Sequence, residues 1–336
     1  MAENVKPKSP DTDLEIRPYR PGDENDAVEL FRIVFEKEKP LDHWNWEYRS
    51  RPMDTFIMLG YYKNALAAQC AGVPLPARCG DRVIRLLQGV DFMSHPGFRS
   101  HRVFMKTAAA FFGTFGGTGE HQAPLIYGFP GTRHRILGEK KLQYTTLSAV
   151  HCLRKTLGPG DAKAGWTDRA RGRVEVVSGF DERADALWNR NQKAYPMAVI
   201  RNREFLNWRF STHPTIHYHV LQVVDRLTGR VGAWAVLRQA PDRGQIVDFF
   251  PSLDAPWMNR LLLRAAERNL LERSFGEAET WCHPNSPANR VLLREGWHIV
   301  PQPDELHIGA ISFSDEIQMD WVREHFYYTL GDADIA

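Results

Sequence analysis

Residues 46–52 read WEYRSRP and residues 208–214 read WRFSTHP. Both fit Trp-x-aromatic-x-x-x-Pro, and they stand 162 residues apart. Solenoid repeats run to about 50 residues, so this spacing points to a duplicated domain. Other matches then belong at a similar offset and in the same order. DENDAVELF (23–31) faces DERADALW (181–188). Each reads as an amphipathic helix with Asp as N-cap and apolar residues at helical spacing. After the Trp motifs, Val90-Asp91-Phe92 faces Val247-Asp248-Phe249, each at the end of an apolar, strand-like run. Helical stretches follow, HRVFMKTAAAFF (101–112) and PWMNRLLLRAAERNLLERSFG (256–276). Short strands ending in Pro come next, PLIYGFP (124–130) and AETWCHP (278–284). The last pair is a helix running into an aromatic residue, ending in KLQY (141–144) and REGW (294–297).

The pattern predicts an α+β protein built as two tandem domains, 14–157 and 173–336. Between them GPGDAKAGWTDRARGR (158–173) is rich in Gly and charge and poor in apolar residues. Each domain reads helix, then an antiparallel meander, then β–α–β, then a short helix, giving a mixed, mostly antiparallel sheet flanked by helices. The Trp motifs fall where the second helical region hands over to the first long strand. Trp46, Tyr48, Trp208 and Phe210 are expected to pack helix to sheet, with Pro52 and Pro214 ending the segments.

At 336 residues, 43% hydrophobic and 25% charged, the chain suits two globular domains and is not disordered. The start, MAENVKPKSPDTD, lacks the apolar core of a signal peptide. No apolar run reaches the roughly 18 residues of a spanning helix. Cys70, Cys79, Cys152 and Cys282 are scattered and read as reduced structural thiols. A cytoplasmic protein is the expectation. Residues 1–160 carry 22 Lys and Arg against 17 Asp and Glu. That modest basic excess suits a compact phosphorylated ligand better than a nucleic acid, which demands a broader basic face.

The order of elements, with these residues, resembles the GNAT (GCN5-related N-acetyltransferase) superfamily in two GNAT-like domains. IRPYRPGDENDAVELF looks like the first strand and helix of that fold. SHPGFRSHRVFMKTAAAFF resembles its strand–loop–helix, and NSPANRVLLREGW and GFPGTRHRILGEKKLQY resemble its last helix and strand. The resemblance implies acyl transfer from acetyl-CoA or another acyl-CoA to an amine of a small molecule or sugar, with the pyrophosphate at the loop and helix start. A tight turn followed by a helix N-terminus suits that group physically. The loop residues are Phe98, Arg99, Ser100, His101, Arg102 and Val103, followed by Phe104. GNAT loops usually place Gly where this chain has Arg102, and Gly or Ala where it has Phe104. Arg99 and Arg102 are then expected to supply charge to the phosphates. In the second half FFPSLDAPWMNR has no such loop, and acidic Asp254 stands where phosphate should approach, so that domain reads as degenerate.

Acyl transfer to an amine needs a base, an acid for the leaving thiolate and a donor for the acyl oxygen. Asp91, at the end of the fourth strand, is the first candidate base, and His95 the second. GNAT enzymes often place a Tyr acid in the last helix. The matching positions here are Leu292 and about Glu139, so Tyr127 on the fifth strand and Tyr144 are the substitutes. His217 and His219 share one face of a strand as half a metal site, without a third ligand at useful spacing. GTFGGTG (113–119) reads as a helix stop and turn. Cys282 and His283 point to opposite faces of a strand and make a poor catalytic couple. Two alternatives stand beside the acyltransferase: a catalytically inactive tandem GNAT-like binding protein, and a FemAB-like aminoacyl transferase. The second needs a larger basic surface than this chain has.

Overall fold

The computed structural model describes residues 13–50, 55–158, 160 and 165–333. Pro52, at the end of the first Trp motif, lies outside the described residues. Two compact units emerge, Met1–Pro74 with Leu87–Ala123, and Leu75–Leu86 with Pro124–Ala336. These units and the two expected domains are different divisions of the chain.

In the first unit β1 (Leu14–Pro18), α1 (Glu24–Phe35), α2 (Leu41–Arg49) and β2 (Phe56–Tyr62) precede two long strands, β3 (Ala65–Cys79) and β4 (Arg82–Ser94). Helix α3 (Val103–Phe115) follows. β1, β2 and β3 pair antiparallel in sequence order, and β4 lies next to β3. The tip of the β3–β4 hairpin belongs to the second unit. Asp23 stands at the N-cap of α1 but does not cap it with its side chain. Its carboxylate accepts two hydrogen bonds from Arg17, at 2.6 and 2.8 Å, and further ones from Arg20 N–H and Tyr61 OH. The Arg17 guanidinium holds the Asp23 carboxyl below the usual carboxylate range. Its counterpart Asp181 does cap its helix, accepting from Arg183 N–H at 3.0 Å.

Neighbouring residues on β2 face opposite ways. Tyr61 reaches Asp23 and Asp26 of α1, whereas Gly60 lies under α3. A Cβ at Gly60 would stand 2.2 Å from Thr107 Oγ1 and 2.9 Å from Val103 Cγ1. Glycine here allows helix and strand to touch. Gly60→Ala is therefore expected to cost about 1–3 kcal/mol by overpacking, measured in a urea melt. The double variant with Thr107→Ala should recover part of that loss. As read from the sequence, α3 stops at Phe115, and Gly117 turns the chain at φ +145°.

The second unit begins with β5 (Leu125–Gly128), α4 (Thr132–Lys141), β6 (Thr145–Ala149), β7 (Cys152–Thr156), α5 (Trp166–Arg171), β8 (Gly172–Val177), α6 (Glu182–Asn191), β9 (Met197–Val199) and α7 (Arg203–Leu206). It continues with β10 (His219–Asp225), β11 (Val231–Gln239), β12 (Gly244–Phe250), α8 (Pro256–Glu272), β13 (Glu277–Trp281), α9 (Pro287–Arg294) and β14 (His298–Val300). The last elements are β15 (His307–Ser312), α10 (Met319–His325) and β16 (Phe326–Tyr327). One seven-stranded sheet runs β14-β7-β13-β12-β11-β10-β8. Its crossover β12–α8–β13 makes a parallel pair, and among the described residues the other pairings in this sheet are antiparallel. β7 pairs with β13 and β14, while β15 pairs antiparallel with β5 and β6. A strand from each half of the sequence thus completes the sheet of the other. The mixed, mostly antiparallel sheets flanked by helices are the α+β architecture expected.

Both Trp motifs close helical segments. Trp46 and Tyr48 lie in α2; Trp208 and Phe210 lie in a single π turn, Asn207–Ser211, that extends α7. All four are buried, which is the packing role expected of them.

Candidate functional site

The candidate loop folds as a 3₁₀ turn, Pro96–His101, leading into α3. His95 opens it: its Nδ1 accepts from Gly97 N–H at 3.0 Å, and its carbonyl takes Phe98 N–H. With Nδ1 accepting, the proton of the neutral ring sits on Nε2, which makes that nitrogen a donor. Phe98 packs on His95 and Tyr62, with ring centroids 4.8 and 5.7 Å apart. Val103 is buried against Ala67 and Ala68, so it and Phe98 serve the loop through packing and backbone. The side chains of Ser100 and His101 lie outside the described residues. Arg99 and Arg102 are exposed.

Arg102 holds φ +56° and ψ +20°, the left-handed conformation that glycine adopts readily. The backbone thus keeps a glycine shape without a glycine. The first hydrogen bond of α3 runs from Lys106 N–H to Arg102 C=O. The amides N-terminal to it have no carbonyl within the helix, and the helix dipole adds positive charge there. Arg99 and Arg102, both exposed, belong to the same turn. This set fits a pyrophosphate. The corresponding start of α8 does not. Pro256 at its first position lacks an N–H, and Asp254 nearby is a carboxylate that accepts from Ser252 Oγ and pairs with Arg230.

Asp91 lies within β4 at φ +48°, an uncommon conformation inside a strand. Its carboxylate is buried. Lys39 Nζ donates to it at 2.5 Å and Tyr48 OH at 2.7 Å. Lys39 also donates to Glu47 at 2.6 Å and lies over the rings of Phe31 and Tyr48. Burial lowers the Lys39 pKa, but Asp91 and Glu47 outweigh it and the net shift is upward. Asp91 is therefore held in a buried ion pair. Tyr127 belongs to the second unit, where its OH donates to the Asp332 carbonyl at 3.3 Å and its ring lies 5.0 Å from that of Phe326. Asp91, His95 and the loop stand together in the first unit; Tyr127 is in the other. Tyr144 is hydrogen-bonded to His134, with its ring against Gly138.

Lys39 and Glu47 escaped the reading of the sequence, and Tyr48 was read only as a packing residue. The offset of 162 residues would have found them. It maps Lys39 onto Arg201, Glu47 onto Arg209 and Tyr48 onto Phe210, as it maps Trp46 onto Trp208. Arg201 is fully buried and donates to Asp248 at 3.1 Å, the counterpart of the Lys39–Asp91 pair. Each half of the sequence therefore places a buried cation ahead of a helix against a carboxylate late in a strand.

His217 and His219 line an open cavity of about 510 Å³ with Thr215, Ile216, Arg238 and Gln239. Among the described residues no group of three or more His, Cys, Asp and Glu side chains converges as metal ligands do. Burial pushes the Cys282 thiol up to about 12, and His283 Nε2 meets the Arg323 carbonyl instead of the thiol. Cys70, Cys79 and Cys152 are likewise free and buried. Among the described residues no helix is long and apolar enough to cross a membrane.

No protein-family model matches the chain, and no curated protein does. Solved structures do. A probable N-acyltransferase from Enterococcus faecalis is 14% identical, with a TM-score of 0.64 over 89% of this chain and 73% of that one. A GCN5-related N-acetyltransferase from Kribbella flavida is 12% identical, with a TM-score of 0.61 over 93% and 73%. Another from Anabaena variabilis is 10% identical, with a TM-score of 0.66 over 90% and 73%. The chain has the fold of the GCN5-related N-acetyltransferases.

Proposed function

We propose that this chain is a cytoplasmic N-acyltransferase that moves an acetyl or other acyl group from acyl-CoA to an amine of a small molecule or sugar. In this reading residues 14–157 form the reacting repeat and residues 173–336 the degenerate one. The observation that carries it is Arg102 at φ +56° in front of α3. The loop pays for a left-handed residue, about 1–2 kcal/mol for a side chain other than glycine, in keeping with a backbone shaped around an anion. Acyl-CoA supplies the thioester carbonyl that the amine attacks. The α3 amides and the Arg99 and Arg102 guanidinium groups bind the pyrophosphate. His95 Nε2–H donates a hydrogen bond to the leaving sulfur, and the proton shed by the attacking amine ends on that sulfur as the C–S bond breaks, giving the free thiol. Asp91, tied to Lys39 and Tyr48, fixes the bend of β4 beside that loop and adds negative charge that favours an ammonium acceptor. The names of the similar structures support acyl transfer as the reaction class.

Calorimetric titration with acetyl-CoA and longer acyl-CoAs tests the proposal. Arg99→Ala with Arg102→Ala is expected to weaken binding at least about 10-fold, the loss of two charge-assisted contacts. No binding by the wild type, or binding that survives the double change, would overturn it. Arg102→Gly separates backbone from charge. It should gain about 1 kcal/mol of stability from the relieved backbone and lose part of the affinity. A gain in both would show that the Arg102 side chain obstructs the ligand.

A further inference from the structure

β12 and β13 pair only over Gly244–Ile246 with Ala278–Thr280. Beyond that point each turns to the same third segment. Tyr327 OH donates to the Phe249 carbonyl at 2.8 Å, Thr329 Oγ1 donates to Asp248 at 2.9 Å, and Thr329 forms an antiparallel bridge with Cys282. Gly331 lies so close to β12 that a Cβ would stand 3.2 Å from the Val247 carbonyl oxygen and 2.8 Å from the Phe210 ring. The segment Phe326–Ala333 therefore sits where the fourth and fifth strands of the second repeat part.

Two arginines hold it, and the internal repeat shows what they replace. Arg201 bridges Asp248 and Asp332, at 3.1 and 2.5 Å. Arg209 donates to the carbonyls of Gly331 and Ala333, at 2.9 and 2.8 Å. In the first repeat Lys39 takes its second carboxylate from Glu47, on the helix that follows it. The position matching Glu47 is Arg209, so the charge there is inverted and the second repeat lacks that carboxylate. Asp332 supplies it from the incoming segment. Arg209, Gly331 and Asp332 form a matched set: Arg209 and Asp332 anchor the end of the segment and Gly331 lets it approach.

We infer that the cleft of the second repeat is a peptide-binding site whose ligand is the chain's own segment Phe326–Ala333, and that this segment excludes acyl-CoA from that repeat. The second clause rests on the proposed acyl-CoA reading; the first does not. Hydrogen exchange on the full chain decides the first. In the wild type the amides of residues 327–333 should exchange as slowly as those of β12. Gly331→Val and, separately, Asp332→Asn should speed exchange there at least 10-fold and leave the α3 amides unchanged. Fast exchange in the wild type, or no acceleration in either variant, would overturn the inference. The acetyl-CoA titration decides the second clause: at most one molecule per wild-type chain is expected, and two per chain would refute exclusion. If no acyl-CoA binds at all, the functional proposal fails, while the exchange result still decides whether the segment is the bound ligand.

Discussion

Arg201→Met is expected to destabilise the second unit by about 3–5 kcal/mol, the cost of removing one partner from a buried ion pair. Arg201 is completely buried, with Asp248 and Asp332 on its guanidinium and the Tyr327 ring 4.6 Å away. Thr329 Oγ1 and the Trp234 indole N–H complete the shell of Asp248. Met fills similar space but leaves two carboxylates side by side in an apolar setting. Burial raises the Asp332 pKa even with Arg201 opposing it, and Asp248 adds to the rise. Without Arg201 at least one of the two must take up a proton on folding. The folded pKa then lies above the unfolded value of about 3.9. The sign follows from linkage: the variant keeps most stability below the unfolded pKa and loses it as pH rises toward the folded one. Urea melts at about pH 5 and about pH 7.5 should therefore show the larger deficit against wild type at the higher pH. A deficit under about 1 kcal/mol, the scale of an exposed pair, would show that the guanidinium does not hold this network together.

The matching Trp motifs were legible because they are built of uncommon residues at fixed spacing. Trp46 and Trp208 are buried under neighbouring elements, and burial of a large ring restricts what can replace it. Element types followed from the same logic: apolar runs at strand or helix spacing, stopped by Gly and Pro. The exchange of strands was not legible. β7 and β15 are short, and nothing in CLRKT or HIGAIS says which sheet edge they will join. Strand pairing over 125 residues, as from Arg154 to Glu279, depends on what else the fold leaves open. The candidate loop was legible as charge and as a helix start, but its backbone was not. A glycine at position 102 would have announced a positive φ; Arg102 adopts one without announcing it. Asp91 was found by its place late in the fourth strand, and its partner Lys39 was missed because 52 residues separate them. The segment across the second cleft was hidden for the same reason. Asp332 meets Arg201 over 131 residues, and only the inverted charge at Arg209 hints at it.

Lys39→Met is the matching test in the first repeat, with an expected loss of about 3–5 kcal/mol from the first unit. Lys39 is nine-tenths buried and shares its charge between Asp91 and Glu47, themselves nearly buried. Its raised pKa means that the stabilisation is intact at neutral pH. It would fade only as pH climbs from the unfolded value of about 10.4 through the higher folded one. Met removes the cation and leaves the Asp91 and Glu47 carboxylates without it, while Tyr48 OH still donates to Asp91. As with Arg201→Met, the deficit should grow from about pH 5 to about pH 7.5 as the trapped carboxylates are forced to ionise. The two variants differ in what else they move. If Asp91 serves the reaction by bending β4 beside His95 and the 98–103 loop, Lys39→Met at permissive temperature should weaken acyl-CoA binding as well. Arg201→Met should leave that affinity within about two-fold, since the pyrophosphate site is assigned to the first repeat. Equal effects of both on acyl-CoA affinity would contradict the division of labour between the repeats. An unchanged affinity in Lys39→Met would reduce the Lys39–Asp91 pair to a stability element.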